Sequence, residues 1–321
     1  MLISNEKYEE ICAIEDSIPI FSKYWWLNAT AGKGNWSIIA LEKNNKTEAI
    51  LPFLTIKERF LITLTQPLLT QKLGPWFKKK IFTSASDIEK QNNLMVNLIN
   101  ELPFHDRYNQ NWDYSITNWL PFYWKDFSQN TKYTYRINDI SNVELVFTNF
   151  DRSKKKNIKN ARNNLKIITD LDKADFYDHH QYTLKQNGKK INYSREYFYS
   201  IFEATKKNNS GKIFAAVDIN GKIHSANFII WDYYSAYNLI STIDNTFRNS
   251  GSTSLVIYEA IKFLSNKTNS FDFEGSMIKG VEYSFRRFGA RQTPYFHIHR
   301  NTTKKARILR STSNLLKSII S

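Results

Sequence analysis

RNSGSTSLVIYEAIKFLSNKTNSFDFEG, residues 248–275, is the stretch that decides the fold. A small-residue loop opens an apolar helix, expected over 250–267, and a short strand, expected over 270–275, follows it. In that strand acids alternate with aromatics. Residues two apart on a strand share a face, which places Asp272 and Glu274 on one side and Phe271 and Phe273 on the other. The aromatic side is expected to pack under a helix. The acidic side is expected to open into a crevice, because two carboxylates are not buried together unpaired. Like charge and partial desolvation raise at least one such carboxyl toward the range of a general base. An ion pair with Arg286, Arg287 or Arg291 is the alternative reading of the same acids.

The loop before the helix carries a second reading. Free backbone N–H groups at a helix N-terminus, with the positive end of the helix dipole, favour phosphate. Gly251 permits close backbone approach, and Arg248 can add a bidentate contact. Arg248, Asn249, Ser250, Gly251, Ser252 and Thr253 are therefore the candidate phosphate-binding residues. Ordinary helix capping accounts for the same serines and asparagine.

Outward from this stretch the second half reads as mixed α/β. GKIFAAVDINGKIHSANFIIW (211–231) is a hairpin turning at Asn220-Gly221, and 233–244 is a third strand. KGVEYSFRRFG (279–289) is a helix closed by Gly289, and 291–300 is a final strand. The first half repeats the order. It has a hairpin at 35–56, a strand beginning in 59–77, a helix at 86–102, a strand at 112–118, a short helix at 120–127 and a strand at 132–137. Phe122, Trp124 and Phe127 space like Tyr283, Phe285 and Phe288, and TYRI ending at Ile137 matches YFHI ending at Ile298. The pattern predicts an internal duplication of about 150 residues. It implies an α+β mixed sheet in two tandem subdomains, 1–145 and 146–321, with a cleft between them. Asp272, Glu274 and Tyr283 are expected to line that cleft, and LTQPLLTQKLGPW (64–76) to border it.

Composition sets the outer limits. The 321 residues are 41% hydrophobic and 15% aromatic, enough to build a core and unlike a disordered chain. A net charge of +15 points to a polyanionic partner: nucleic acid, an anionic membrane surface or a phosphorylated substrate. One cysteine, Cys12, excludes an internal disulfide framework and a multi-cysteine zinc site. His297 and His299, two apart on a strand, lack an evident third metal ligand. The basic segment DRSKKKNIKNARNNLKI (151–167) predicts a helix with a narrow apolar stripe at Ile158, Ala161 and Leu165. Neither a signal pattern nor a run of about 20 apolar residues is present, so a cytoplasmic chain is expected. The tail, 301–321, predicts an amphipathic basic helix that either docks on anionic membrane or packs on the core.

The hairpin, third strand, Arg-x-x-Gly-x-Thr loop, helix and acidic strand resemble the core of the GNAT N-acyltransferase superfamily. Thr253 stands where that superfamily's phosphate loop has a last small residue. FDFEGSM followed by FRRFGA, together with RSKKKNIKNARNNLKI, resembles more closely the duplicated branch. That branch holds the Fem-type peptidoglycan bridge aminoacyltransferases and related envelope polysaccharide acyltransferases. The resemblance implies two GNAT-like subdomains and transfer of an acyl group from acyl-CoA to an amine on an envelope precursor, without a metal. Donor phosphates would lie at 248–253. Glu274 or Asp272 would act on the amine, and Tyr283 would protonate the leaving group. Aminoacyl-tRNA as donor is the second reading, and a non-catalytic envelope-assembly or nucleic-acid-binding protein is the third.

Overall fold

The structure, a computed structural model, describes residues 1–58, 60–79, 81–275 and 277–308. The described chain forms two compact units, one of residues 1–132 with 294–308, the other of residues 133–293.

The first unit begins with β1 (Leu2–Ile3), α1 (Asn5–Ile14) and α2 (Tyr24–Ala31). The hairpin of β2 (Trp36–Lys43) and β3 (Lys46–Glu58) follows. It turns at Asn44 and Asn45, whose φ values of 51° and 58° suit a two-residue hairpin turn that asparagine tolerates. β4 (Leu61–Thr65), β5 (Trp76–Phe77), α3 (Ala85–Asn100), β6 (Arg107–Asn111) and α4 (Leu120–Tyr123) complete the series. β6 lies parallel to β4, as a strand returning through a helix must. The strand expected at 112–118 is β6, upstream; Asp113 instead accepts the N–H of Ser115 and turns the chain. Met95, Leu98, Tyr108, Phe122 and Phe127 form the core beneath α3.

The second unit holds the last residues of β7 (Ser128–Ile137), then α5 (Val143–Thr148) and α6 (Arg152–Arg162). β8 (Lys166–Ile168), α7 (Lys173–Gln186) and α8 (Arg195–Lys207) come next. The series β9 (Gly211–Val217), β10 (Ile223–Trp231), β11 (Ser235–Ile243), α9 (Ser252–Leu264), β12 (Ser270–Asp272) and α10 (Lys279–Arg286) repeats the first unit's order. Its sheet runs β7-β12-β11-β10-β9-β8, again with one parallel pair, β11 with β12. Phe214, Ile229, Ala236, Leu255 and Phe271 pack between this sheet and α9.

The expected order of elements is thus present twice, but the expected boundary at 145/146 is not where the units divide. β7 pairs with β12, so residues from 133 belong to the second unit. β13 (Arg291–Asn301) pairs with β6, and Ile298 sits in the first unit's core. Pairing partners, rather than sequence proximity, assign the two final strands. Residues 304–308 are helical. The rest of the expected amphipathic tail, with Leu309, Leu315, Leu316, Ile319 and Ile320, lies outside the described residues. No helix among those described is long and apolar enough to cross a membrane.

Candidate functional site

β11 sets the frame of the site. Its pairing with β12 covers only Ser235–Tyr237 against Ser270–Asp272, while 238–243 continue beyond it. β12 stops at Asp272, so β11 runs on beyond its parallel partner. The register with β10 also shifts at this point. Tyr237 opposes Ile230 and Ile240 opposes Phe228, so Asn238 and Leu239 together face Ile229. This is a β-bulge, which leaves ladder groups unpaired and re-aims the strand. A buried amide holds it: Asn227 Nδ2 donates to Asn238 Oδ1 at 2.7 Å and to Ser241 Oγ at 3.0 Å.

β12 ends sooner than its alternation predicted. Asp272 is fully buried rather than open to a crevice. Its Oδ1 accepts the Thr134 hydroxyl and, at 2.8 Å, the backbone N–H of Glu274. That bond closes a turn, the short-range alternative to a ladder that aspartate offers. Glu274 (φ 60°) and Gly275 (φ 50°) are both left-handed. A Cβ at Gly275 would stand 2.6 Å from the Tyr133 carbonyl oxygen, so glycine is required there. The two acids therefore do not share a strand face. Asp272 is a buried turn-former, and Glu274 is partly exposed beyond the strand end. Arg286 and Arg287 carry ion pairs with Glu282 and Asp151 respectively.

The loop after β11 reaches the same end of the sheet, because β11 and β12 are parallel. Gly251 caps α9 at φ 78°. Its close approach is to protein: a Cβ there would lie 2.4 Å from the Asn157 carbonyl oxygen of α6. The glycine joins α9 to α6. Ser250 Oγ accepts the Ser252 N–H at 3.2 Å. The hydroxyls of Ser252 and Thr253 are buried and have no hydrogen-bond partner among the described residues. Arg248 and Asn249 are exposed, and Arg248 Nη2 reaches Asn187 Oδ1 only at 3.5 Å. Tyr283, on α10, is 49% exposed, with the guanidinium groups of Arg286 and Arg287 5.0 and 4.9 Å from its ring centre.

Two arrangements escaped the sequence reading. Lys154, on α6, is buried; its Nζ donates to Ser284 Oγ at 2.9 Å and lies 4.2 Å from the Phe288 ring centre. Burial, with Arg287 close by, holds its pKa down to about 8, against a partial offset from Asp151. The signal was present: Lys154 continues the apolar stripe one turn back from Ile158. The second is Tyr135, whose hydroxyl donates to Glu282 at 2.9 Å and accepts from Gln292 at 2.9 Å. These bonds fix α10 over the aromatic face of Phe273, Phe285 and Phe288.

The remaining candidates resolve individually. Among the described residues no group of three or more His, Cys, Asp or Glu side chains is placed to hold a metal. His297 and His299 stack on each other, their ring centres 5.4 Å apart. His179 bonds Thr242 Oγ1, and His180 lies between Phe176 and Tyr193. Cys12 accepts the Tyr24 N–H, and burial pushes its thiol pKa up. In the segment 64–76, Leu73 to Trp76 line a small cavity within the first unit, beside Lys72 and Asp113.

Solved structures share the overall fold. FemX matches over 92% of this chain and 96% of its own, with a TM-score of 0.66 and 11% identity. The chain shares the fold of FemX. A domain from Agrobacterium fabrum, described as the C-terminal part of a lysylphosphatidylglycerol synthetase, matches over 97% of each chain at a TM-score of 0.56 and 11% identity. L-PGS from Bacillus licheniformis matches over 97% of this chain and 96% of its own, at 0.55 and 8%. No protein-family model matches this chain, and no curated sequence does. At these identities the likeness establishes fold, and chemistry has to be argued from the residues.

Proposed function

We propose that the chain is an acyltransferase that moves an activated acyl group onto an amine, with the chemistry in its second unit. The observation that carries this is the end of β12 at Asp272 while β11 runs on past it, beside the bulge at Asn238–Leu239. It lies at the sheet end where α9 presents the unpartnered Ser252 and Thr253 hydroxyls. Acyl transfer to an amine needs positioning of two reactants, a proton acceptor and donors for the oxyanion, and no covalent nucleophile.

Each role has a candidate. Backbone groups freed by the bulge stabilise the carbonyl oxygen as charge develops on it. Ser252, Thr253 and Arg248, with Asn249, Ser250 and Gly251 shaping the loop, hold the donor's phosphates. Glu274 takes a proton from the substrate ammonium, which frees the amine to attack, and Asp272 fixes the turn that aims it. Tyr283 returns a proton to the leaving group. The amine forms the new C–N bond, the thioester or ester bond breaks, the proton shed by the nitrogen replaces the one Tyr283 gives, and the donor leaves as thiol or hydroxyl.

The substrate class proposed is an amino group on a cell-envelope precursor, with acyl-CoA as donor. A specific feature favours aminoacyl-tRNA as the second reading. Arg152, Lys156, Lys159 and Arg162 are exposed along α6, on a chain of net charge +15, and such a face suits a phosphate backbone. Calorimetric titration of the full chain with acetyl-CoA and, separately, with charged tRNA tests the choice. Saturable acetyl-CoA binding lost in Ser252→Ala supports the first. Binding of tRNA alone, with a steep salt dependence, supports the second, and binding of neither refutes both.

A further inference from the structure

At the opposite end of β12 from Glu274 the second unit carries another cleft. β7 runs antiparallel to β12, with Arg136 opposite Asp272 and Ile137 opposite Phe271. The chain after β7 therefore turns beside the start of β12, where Ile140 N–H bonds the Asn269 carbonyl oxygen at 3.0 Å. Here a cleft of about 250 Å³ is lined by Arg136, Asn138, Asp139, Asn142, Phe288 and Arg291 among others. We propose that this cleft is a binding site for a small phosphomonoester, separate from the acyl-transfer site.

Its lining is rich in donors. Arg136 is held in place: its Nη2 donates to Ser270 Oγ at 3.1 Å, and that hydroxyl donates to the Tyr234 carbonyl oxygen at 3.0 Å. Arg291 is exposed and carries no ion pair among the described residues. The single carboxylate, Asp139, is already engaged, its Oδ1 accepting both the N–H and the hydroxyl of Ser141, at 2.9 and 2.6 Å. Those bonds hold its pKa below the usual carboxylate range, so it stays ionised and turned toward Ser141. Asn142 Oδ1 accepts the Leu145 N–H at 3.0 Å, which leaves its NH₂ group as the available end. The guanidinium groups of Arg136 and Arg291 are forked donors that match phosphate oxygens, and the one carboxylate of the lining is bonded internally. The volume lies just below the usual small-molecule range of about 300–1,000 Å³, which suits a compact ligand. Phe288 supplies an apolar wall for its carbon body.

The test uses the full chain and isothermal titration with three probes: inorganic phosphate, glucose 6-phosphate and glucuronate. Glucose 6-phosphate should bind saturably, inorganic phosphate more weakly, and the monoanionic glucuronate about tenfold more weakly or worse, the change expected for one lost charge-assisted contact. Arg291→Gln should weaken glucose 6-phosphate by about tenfold with an unchanged melting temperature, and Arg291→Glu should abolish binding. Arg248→Gln, at the proposed donor loop, should leave it unchanged. Three results overturn the proposal: no saturable binding of any probe, binding indifferent to both Arg291 variants, or binding lost in Arg248→Gln. The last would assign the phosphate to the donor loop.

Discussion

Asp272 Oδ1 accepts the backbone N–H of Glu274 at 2.8 Å, from a side chain that is completely buried. One residue of the acidic pair therefore shapes the backbone on which the other stands. Left-handed non-glycine residues such as Glu274 are held by their surroundings and cluster at functional sites. The pair's roles separate experimentally. Glu274→Gln keeps the shape and removes the basicity. It should slow acyl transfer about 10²-fold or more while leaving the melting temperature within error.

Asp272→Ala should behave differently. It removes the acceptor for two donors, the Thr134 hydroxyl and the Glu274 N–H, and leaves both inside the protein. A loss of about 2–4 kcal/mol in urea unfolding is expected, along with slower transfer. Asp272→Asn keeps an oxygen in place and should recover much of the stability. If Asp272→Asn slows transfer more than Glu274→Gln does, Asp272 is the proton acceptor and the roles are exchanged.

Gly251 gives a prediction about packing. A methyl group there would meet the Asn157 carbonyl oxygen at 2.4 Å, from a residue at φ 78°. Both the contact and the conformation oppose it. Gly251→Ala should cost about 3 kcal/mol or more, read as a lowered thermal midpoint by circular dichroism. Wild-type stability in that variant would mean that α6 and α9 are not held as described. Ser252→Ala and Thr253→Val remove the orphan hydroxyls without touching this contact, so donor binding is tested through them.

The order of elements was legible because each has local punctuation. Asn44-Asn45 and Asn220-Gly221 mark the hairpins, Gly289 ends the last helix, a small-residue loop opens α9, and 3.6-residue periodicity marks α3. The parts that failed depend on partners distant in sequence. Whether the strand ending at Ile298 pairs with β6 or β12 is decided by cores more than 100 residues away in the chain. The alternation in FDFE extends a strand to Glu274, yet the Asp272 turn and the left-handed Glu274-Gly275 pair stop it at 272. Of the site, the loop and the acids were readable as residue types. The bulge at Asn238–Leu239 was not, since a register shift exists only between two strands. Lys154 was hidden in a basic run, where a lysine is ordinarily solvated.

Lys154 yields the prediction with the most explicit sign. Its ordinary pKa of 10.5 falls to about 8 in the folded chain because burial penalises the ammonium, and Arg287 adds repulsion that Asp151 only partly offsets. A folded value below the unfolded one means that the unfolded chain binds more protons between pH 8 and 10.5. Stability from this group therefore rises with pH across that window. Below about pH 8 both states are protonated, and the folded state bears the full cost of a buried charge, about 3 kcal/mol for such a shift. Ser284 and Phe288, the other groups against Nζ, do not titrate, so the window belongs to Lys154 with Arg287 and Asp151 as its charged neighbours. Lys154→Met fills similar volume without charge. It should stabilise the protein at pH 7 and flatten the rise, measured as the difference in urea midpoint between wild type and variant at pH 7, 8.5 and 10. Parallel curves for the two proteins would show that Lys154 keeps its charge at little cost, with water reaching Nζ.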